Sequence, residues 1–301
     1  MGKTVLECKN LYKKFGKKEI IKGVSTTLEK GDILGFIGPN GAGKTTMIKL
    51  ILGLQKIDKG SVTINGYDIK QEFEKAIEKV GAIVENPDLY MYLSGHKNLE
   101  LIANLYKEVD KKRIDEVVKL VGLEARIHDK VSKYSLGMRQ RLGIAQAILH
   151  KPNILILDEP TNGLDPEGMK ELRDLLQKLA KEGMAVLISS HNLAELDSFC
   201  TKICIIKNGE VIETKDIKEL KKDTEGRYII FKVNETSNIE KIINNAIILN
   251  DKEFKITCSE DEITNVIKRL IENEVKVYRI EDEKITLEEA FLKKTGGNKI
   301  V

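Results

Sequence analysis

Hydrophobic and polar positions along this chain follow two periods, and the changes between them divide it into regions. Unbroken apolar runs at 33–37, 80–84, 154–157, 185–188 and 203–206 mark buried strands. At the front, 5–8, 31–37 and 61–64 are expected as antiparallel strands, the last ending at the turn pair Asn65-Gly66. From 95 to 149 the texture becomes helical, with amphipathic segments at 98–107 and 111–121 and no comparable strand run between them, which predicts a helical insertion. Strands then return around a helical stretch at 167–181, the alternation of a parallel sheet with crossover helices. Past a charged stretch, 215–227, the pattern restarts as strand 228–233, helix 239–243, a hairpin of 246–249 and 253–257, helix 262–272 and strand 275–280. That βαββαβ order predicts a small ferredoxin-like unit. Ser259 with Glu262, and Thr286 with Glu289, have capping-box spacing, the second opening a closing amphipathic helix through Leu292. The expected fold class is α/β, with a core domain over 1–220, a helical subdomain at about 87–150 and an accessory α+β domain over 221–301.

Composition narrows the partners. Among 301 residues, 50 Lys+Arg against 47 Asp+Glu leave a net charge of +3, so no basic footprint points to nucleic acid. Cys8, Cys200, Cys204 and Cys258 have neither CxxC nor metal-ligand spacing, and a reduced, cytosolic setting is expected. No apolar stretch approaches membrane-spanning length, and Lys3, Glu7 and Lys9 leave no signal-peptide core. Service in a membrane process would therefore require a second, spanning chain.

The chemistry begins at Gly38-Pro39-Asn40-Gly41-Ala42-Gly43-Lys44-Thr45-Thr46, between a strand-like run and Met47, Ile48, Leu50, Ile51 and Leu54 at helical spacing. This is a phosphate-binding loop. Gly38, Gly41 and Gly43 let backbone N–H groups approach phosphate, Lys44 reaches the β and γ phosphates, and the Thr45 hydroxyl can coordinate Mg²⁺. The apolar strand 154–157 ends in Asp158 and Glu159, the first suited to the Mg²⁺ shell through water and the second to polarising an attacking water. His96, His128 and His150 match no motif and are expected at the surface or at helix ends.

Tyr134-Ser135-Leu136-Gly137-Met138-Arg139-Gln140-Arg141 resembles the signature motif of ATP-binding cassette (ABC) proteins, usually written LSGGQ, a short distance before Asp158. Asn162-Gly163-Leu164-Asp165 resembles the D-loop, and His191 after Leu187-Ile188-Ser189-Ser190 resembles the switch histidine. Phe15 resembles the aromatic residue on which adenine stacks, with Tyr12 as the alternative. The resemblance covers residues 3 to about 220, with the motifs in the family's order. It implies the P-loop NTPase fold of ABC ATPases and hydrolysis of ATP with Mg²⁺. Asn40, Thr46, Ser135, Gly137, Met138 and Asp165 would join the phosphate loop in holding nucleotide. His191 would stabilise the transition state as a neutral ring hydrogen-bonded to the γ-phosphate. Two copies would form a homodimer sandwiching two ATP molecules, each phosphate loop facing the partner's signature loop.

Two residues depart from the pattern. Leu136 stands where glycine is usual, bringing an apolar side chain near the phosphate site. Glu85, in Val84-Glu85-Asn86-Pro87, stands where the family's Q-loop has glutamine, and its carboxylate is a candidate metal ligand. Glu85 and the segment Thr286-Leu287-Glu288-Glu289-Ala290-Phe291-Leu292 resemble the bacitracin-resistance and lantibiotic-immunity branch. That implies a cytoplasmic ATPase, peripheral on the inner face of the membrane, pairing with a separate permease to expel peptide antibiotics. Leu89, Tyr90 and Tyr92 are the candidate dock for a permease helix. Two rivals stay open: a soluble ABC ATPase acting on DNA or the ribosome, and an interaction module in which ATP only gates assembly.

Overall fold

A long antiparallel ladder opens the fold: β1 (Thr4–Phe15) pairs with β2 (Lys18–Glu29), in a computed structural model that describes residues 3–219, 227–258 and 260–284. Next comes β3 (Ile33–Ile37), which runs into α1 (Lys44–Ile51). With β4 (Lys59–Ile64) and β5 (Tyr67–Asp68), the first two strands make a four-stranded sheet in the order β2-β1-β4-β5. The sequence expectation that 31–37 belongs to this front sheet is wrong. All five residues of β3 are buried, so both of its faces are covered, the situation of a central parallel strand. β2 was not anticipated, because its first half is only partly buried and alternation develops only towards Glu29.

The second sheet holds β3 at its centre. After α2 (Phe73–Ile77) come β6 (Val80–Ile83), α3 (Gly95–Ala103), α4 (Lys111–Leu120) and α5 (Leu136–Ile148). Then β7 (Ile154–Leu157), α6 (Pro166–Lys181), β8 (Ala185–Ser190), α7 (Leu193–Asp197), β9 (Lys202–Lys207) and β10 (Glu210–Asp216) complete the region. The strand order is β10-β9-β3-β8-β7-β6, parallel throughout except for the antiparallel edge pair β10–β9. Between β6 and β7 the helices brace one another. Arg113 of α4 donates to the carbonyls of Ile148 and Leu149 at 2.8 and 3.1 Å, closing the C-terminal end of α5 with a cation. Met47, Ile48, Leu50 and Ile51 of α1 are fully buried, which fixes the helix that carries the phosphate loop.

The chain divides into two compact units, the first ending at Ile217 and the second beginning at Lys218. In the second, β11 (Arg227–Val233), β12 (Ile247–Asn250), β13 (Glu253–Thr257) and β14 (Val277–Lys284) form an antiparallel sheet in the order β12-β13-β11-β14. With helices Ile239–Ile242 and Glu260–Glu272 this is the split βαβ arrangement. Phe231 and Phe254, both fully buried, stack at 5.2 Å in a core with Ile239 and Leu270. The helix-start signals at Ser259 and Thr286, and the closing helix, lie outside the described residues. Among the described residues, no helix is long and apolar enough to cross a membrane.

Candidate active site

Three adjacent parallel strands, β3, β8 and β7, deliver the expected chemistry at one edge of the sheet. β3 leads into the phosphate loop, β8 into His191, and β7 into Asp158 and Glu159. This carboxyl edge is where open α/β sheets gather ligands. β6 lies one strand further out, followed by Glu85.

The loop's shape requires glycine at two positions in particular. Gly43 has φ 108°, and a Cβ there would sit 2.7 Å from Ile21 Cδ1; a Cβ on Gly38 would fall 2.1 Å from the Ile206 carbonyl oxygen. Met47 makes the bond from its N–H to Gly43 O at 2.8 Å, so the N–H groups of Lys44, Thr45 and Thr46 lie in the first turn, at the positive end of α1. Asn40 and Gly41 are exposed at the tip, and Thr45 and Thr46 are half-buried. Lys44 is only 5% exposed: its ammonium donates to Gly38 O at 2.7 Å and Pro39 O at 3.3 Å, and pairs with Glu159 Oε1 at 3.0 Å. A buried ammonium needs such partners.

Glu159 joins two cation-forming groups, since its Oε2 lies 2.9 Å from His191 Nδ1. Its backbone is left-handed, at φ 48°. An ionised carboxylate only accepts, so Nδ1 carries a proton and donates. Nε2 can then donate to a phosphate only as imidazolium; a neutral ring must first release Glu159 to do so. This geometry adds a condition to the sequence expectation of a neutral histidine on the phosphate. Asp158, 2% exposed, accepts the Ser189 hydroxyl proton on Oδ1 at 2.5 Å.

Sequence reasoning missed Ser189 and Glu195. Glu195 Oε2 accepts from Thr161 Oγ1 at 2.7 Å and Ser190 Oγ at 3.3 Å, while Oε1 accepts from Asn192 Nδ2 at 3.1 Å. It therefore ties both neighbours of His191 to the turn after Glu159. A serine and a glutamate without motif spacing carry no signal until the parallel register brings them together.

Other expected residues stand apart. Ser135 and Asp165 are exposed N-caps: Ser135 Oγ accepts from Met138 N–H at 3.2 Å, and Asp165 Oδ1 from Gly168 N–H at 2.9 Å. Gly137 and Met138 lie in the first turn of α5. Among the described residues, no hydrogen bond or ion pair joins Ser135 or Asp165 to the Lys44–Glu159–His191 group. Leu136 leans on the 162–165 turn, its Cδ2 so close to Gly163 that a Cβ there would come within 2.9 Å. Phe15, at the end of β1, is 48% exposed with Lys13 Nζ 5.3 Å from its ring centre, whereas the Tyr12 ring is packed over Gly23. Glu85, at φ 68°, pairs with Lys49 at 2.8 Å, and that bond holds its carboxyl below the usual range. Lys49 lies one turn beyond Thr45, so Glu85 sits over the same face of α1.

His150, expected at the surface or a helix end, is half-buried and stacks on Tyr106 at 4.7 Å with an interplanar angle of 6°. Its Nε2 lies 3.2 Å from Val80 O, and burial lowers its pKa. His96 and His128 stack on each other at 5.4 Å.

A buried lysine at a helix start, flanked by phosphate-accessible N–H groups and facing a carboxylate and a histidine, defines a nucleoside-triphosphate hydrolase site. The family model described as "ABC transporter" matches residues 21–162. The ABC transporter ATP-binding protein YhcH of Bacillus subtilis, itself described as uncharacterized, is 48% identical over 99% of this chain and 98% of its own length. The bacitracin transport ATP-binding protein BcrA of Bacillus licheniformis is 37% identical over 99% of both chains. The lantibiotic transport ATP-binding protein SrtF of Streptococcus pyogenes is 36% identical over 81% of this chain and 98% of its own. A solved ATP-binding subunit of an ABC transporter superposes with a TM-score of 0.65 at 30% identity, covering 72% of this chain and 92% of that one. A dimeric ATP-binding cassette in a post-hydrolysis state with ADP and Pi gives a TM-score of 0.63 at 28% identity, covering 70% and 98%. The chain belongs to the ATP-binding proteins of ABC transporters: it is an ATP-binding, ATP-hydrolysing cassette.

Proposed function

We propose that this subunit powers export of a peptide antibiotic, bacitracin-like or lantibiotic-like, through a separate membrane-spanning permease, working as a homodimer on the inner face of the cell membrane. The observation that carries this reading is likeness to BcrA over 99% of both chains, which takes in the second unit as well as the cassette. Residues 1–220 form its ATPase domain, 87–150 the helical subdomain and 221–301 an accessory domain.

The donor set suits Mg²⁺. Among the described residues no group of three or more His, Cys, Asp or Glu converges as a metal cage, and Mg²⁺ is commonly held by one or two protein oxygens, water and substrate phosphate. Thr45 would supply a hydroxyl oxygen, Asp158 would reach the cation through water, and Glu85, on leaving Lys49, would add a carboxylate. Held there, Mg²⁺ would supply charge neutralisation to the phosphates. Lys44 holds the same phosphates, trading Glu159 for them; the freed Glu159 orients the attacking water and His191 stabilises the developing charge. Phe15 stacks on adenine, while Ser135, Gly137, Met138 and Asp165 serve the partner's nucleotide.

For the permease, exposed Tyr90, Met91 and Tyr92 form a fixed apolar prominence. Fully buried Asn98 accepts from Tyr90 N–H at 2.8 Å and donates to Tyr90 O and Ser94 O at 3.1 and 3.0 Å, pinning the loop. Beside it, Ile83, Val84, Pro87 and Ile102 together with Asn86, Asp88 and Gln146 line an open cavity of about 470 Å³ with mixed polar and apolar walls, where an amphipathic helix end would seat. Cells carrying this chain together with its permease should resist bacitracin or a lantibiotic, and the Glu159→Gln variant should abolish resistance. Unchanged susceptibility to both classes, or membrane recruitment untouched by Tyr90→Asp and Tyr92→Asp, would contradict the reading.

A further inference from the structure

The hydroxyl of Ser189 bridges the two adjacent acids at the end of β7. Ser189 is fully buried near the end of β8, where Leu157 pairs with Ile188, so the parallel register sets Ser189 beside Asp158. Its Oγ accepts the Glu159 backbone N–H at 2.8 Å and lies 2.5 Å from Asp158 Oδ1. A serine hydroxyl has one proton and two lone pairs. With a lone pair engaged by the Glu159 N–H, its proton goes to Asp158. The direction of both bonds is thereby set.

We infer that Ser189 is a positioning residue for hydrolysis, fixing which Asp158 oxygen faces the cation's water shell and holding Glu159 in the backbone conformation that aims its carboxylate. The inference rests on the reading of Asp158 and Glu159 as the metal-shell and water-orienting acids. The hydroxyl takes one lone pair of Oδ1 and fixes the carboxylate's rotation, so that Oδ2 would be the oxygen turned to a metal-bound water. The second bond acts on the backbone: Glu159 has φ 48°, a left-handed geometry that is strained for a non-glycine residue and persists only where its surroundings hold it. From that geometry its side chain reaches Lys44 at 3.0 Å and His191 at 2.9 Å. One hydroxyl thus couples the position of the cation to that of the attacking water.

The test compares Ser189→Ala, Ser189→Thr and Glu159→Gln in the full-length protein, measuring ATPase kinetics, Mn²⁺ affinity of the nucleotide complex by electron paramagnetic resonance, and cation-free binding of a fluorescent nucleotide. Ser189→Ala should lower kcat about 10- to 100-fold, weaken Mn²⁺ binding several-fold and leave KM within about threefold, the pattern of a lost transition-state interaction. Cation-free nucleotide binding should not change, and a thermal melt checks folding. Ser189→Thr keeps the hydroxyl and should keep Mn²⁺ affinity, so the idea stays testable if the alanine variant does not fold. Wild-type kcat and Mn²⁺ affinity in Ser189→Ala, or equal losses in a folded Ser189→Thr, would overturn it. An active Glu159→Gln would instead remove the reading beneath it.

Discussion

The phosphate-loop side and the signature side of this cassette are built in opposite ways. On the first, Lys44, Glu159 and His191 come from three neighbouring strand ends and are bonded to one another within a single chain. On the second, Ser135 and Asp165 are exposed and spend their side chains on capping their own helices. One side carries a preassembled Lys44–Glu159–His191 group; the other presents the starts of α5 and α6, with their N–H groups and helix dipoles, to whatever approaches. Two copies placed head to tail would give each nucleotide one side of each kind. Arg141 of α5 keeps the second side together, pairing with Glu171 of α6 at 3.4 Å.

The largest effect should follow from breaking the preassembled side. If Glu159 orients the attacking water as proposed, Glu159→Gln is expected to lower kcat by about 10²- to 10⁴-fold while preserving nucleotide binding, the usual scale for losing a general base. Steady-state phosphate release and nucleotide titration together check it. An intermediate effect is expected at the link between loops: Glu195→Gln weakens charge-assisted bonds from Thr161, Ser190 and Asn192 and should reduce kcat about three- to tenfold with little change in KM.

The smallest effect should arise outside both regions. The folded protein disfavours protonation of His150, so the unfolded chain binds more protons as pH falls through the ordinary value of 6.5. His150 should therefore cost stability progressively from about pH 7 downward, until the folded state also takes up the proton. Thermal melts of wild type and His150→Asn across pH 5 to 8 should converge or cross as pH falls, the wild type losing more. Parallel curves would contradict the assignment.

Much of the preassembled side was legible in the chain because its parts are local. A glycine loop before a helix, and two acids at the end of an apolar strand, need only a few residues each to be visible. Ser189 and Glu195 were invisible because their roles depend on β7 and β8 lying side by side, a fact of register rather than of spacing. The same gap misplaced β3: successive strands suggested one antiparallel sheet, whereas complete burial of all five residues belongs to a parallel centre. β2 escaped for the converse reason, its partly exposed first half lacking a clean period. Leu136 stood out in the sequence as an apolar side chain near the phosphate site; that it rests on the 162–165 turn of its own chain became visible only in the structure. The order of elements in the second unit was readable from short apolar runs set between turn residues and a helical stretch, although only β13 alternates cleanly and β12 is exposed throughout; its sheet order required the structure.

The claim that each nucleotide site is shared between copies is tested most directly by mixing two inactive proteins. Lys44→Ala disables the preassembled side and Ser135→Arg blocks the exposed side. In a mixed dimer both lesions fall on one site and leave the other intact. Random pairing of equal amounts should then restore roughly a quarter of wild-type ATPase activity, half the dimers being mixed and each carrying one sound site. A mixture no more active than its two parents would contradict a shared site.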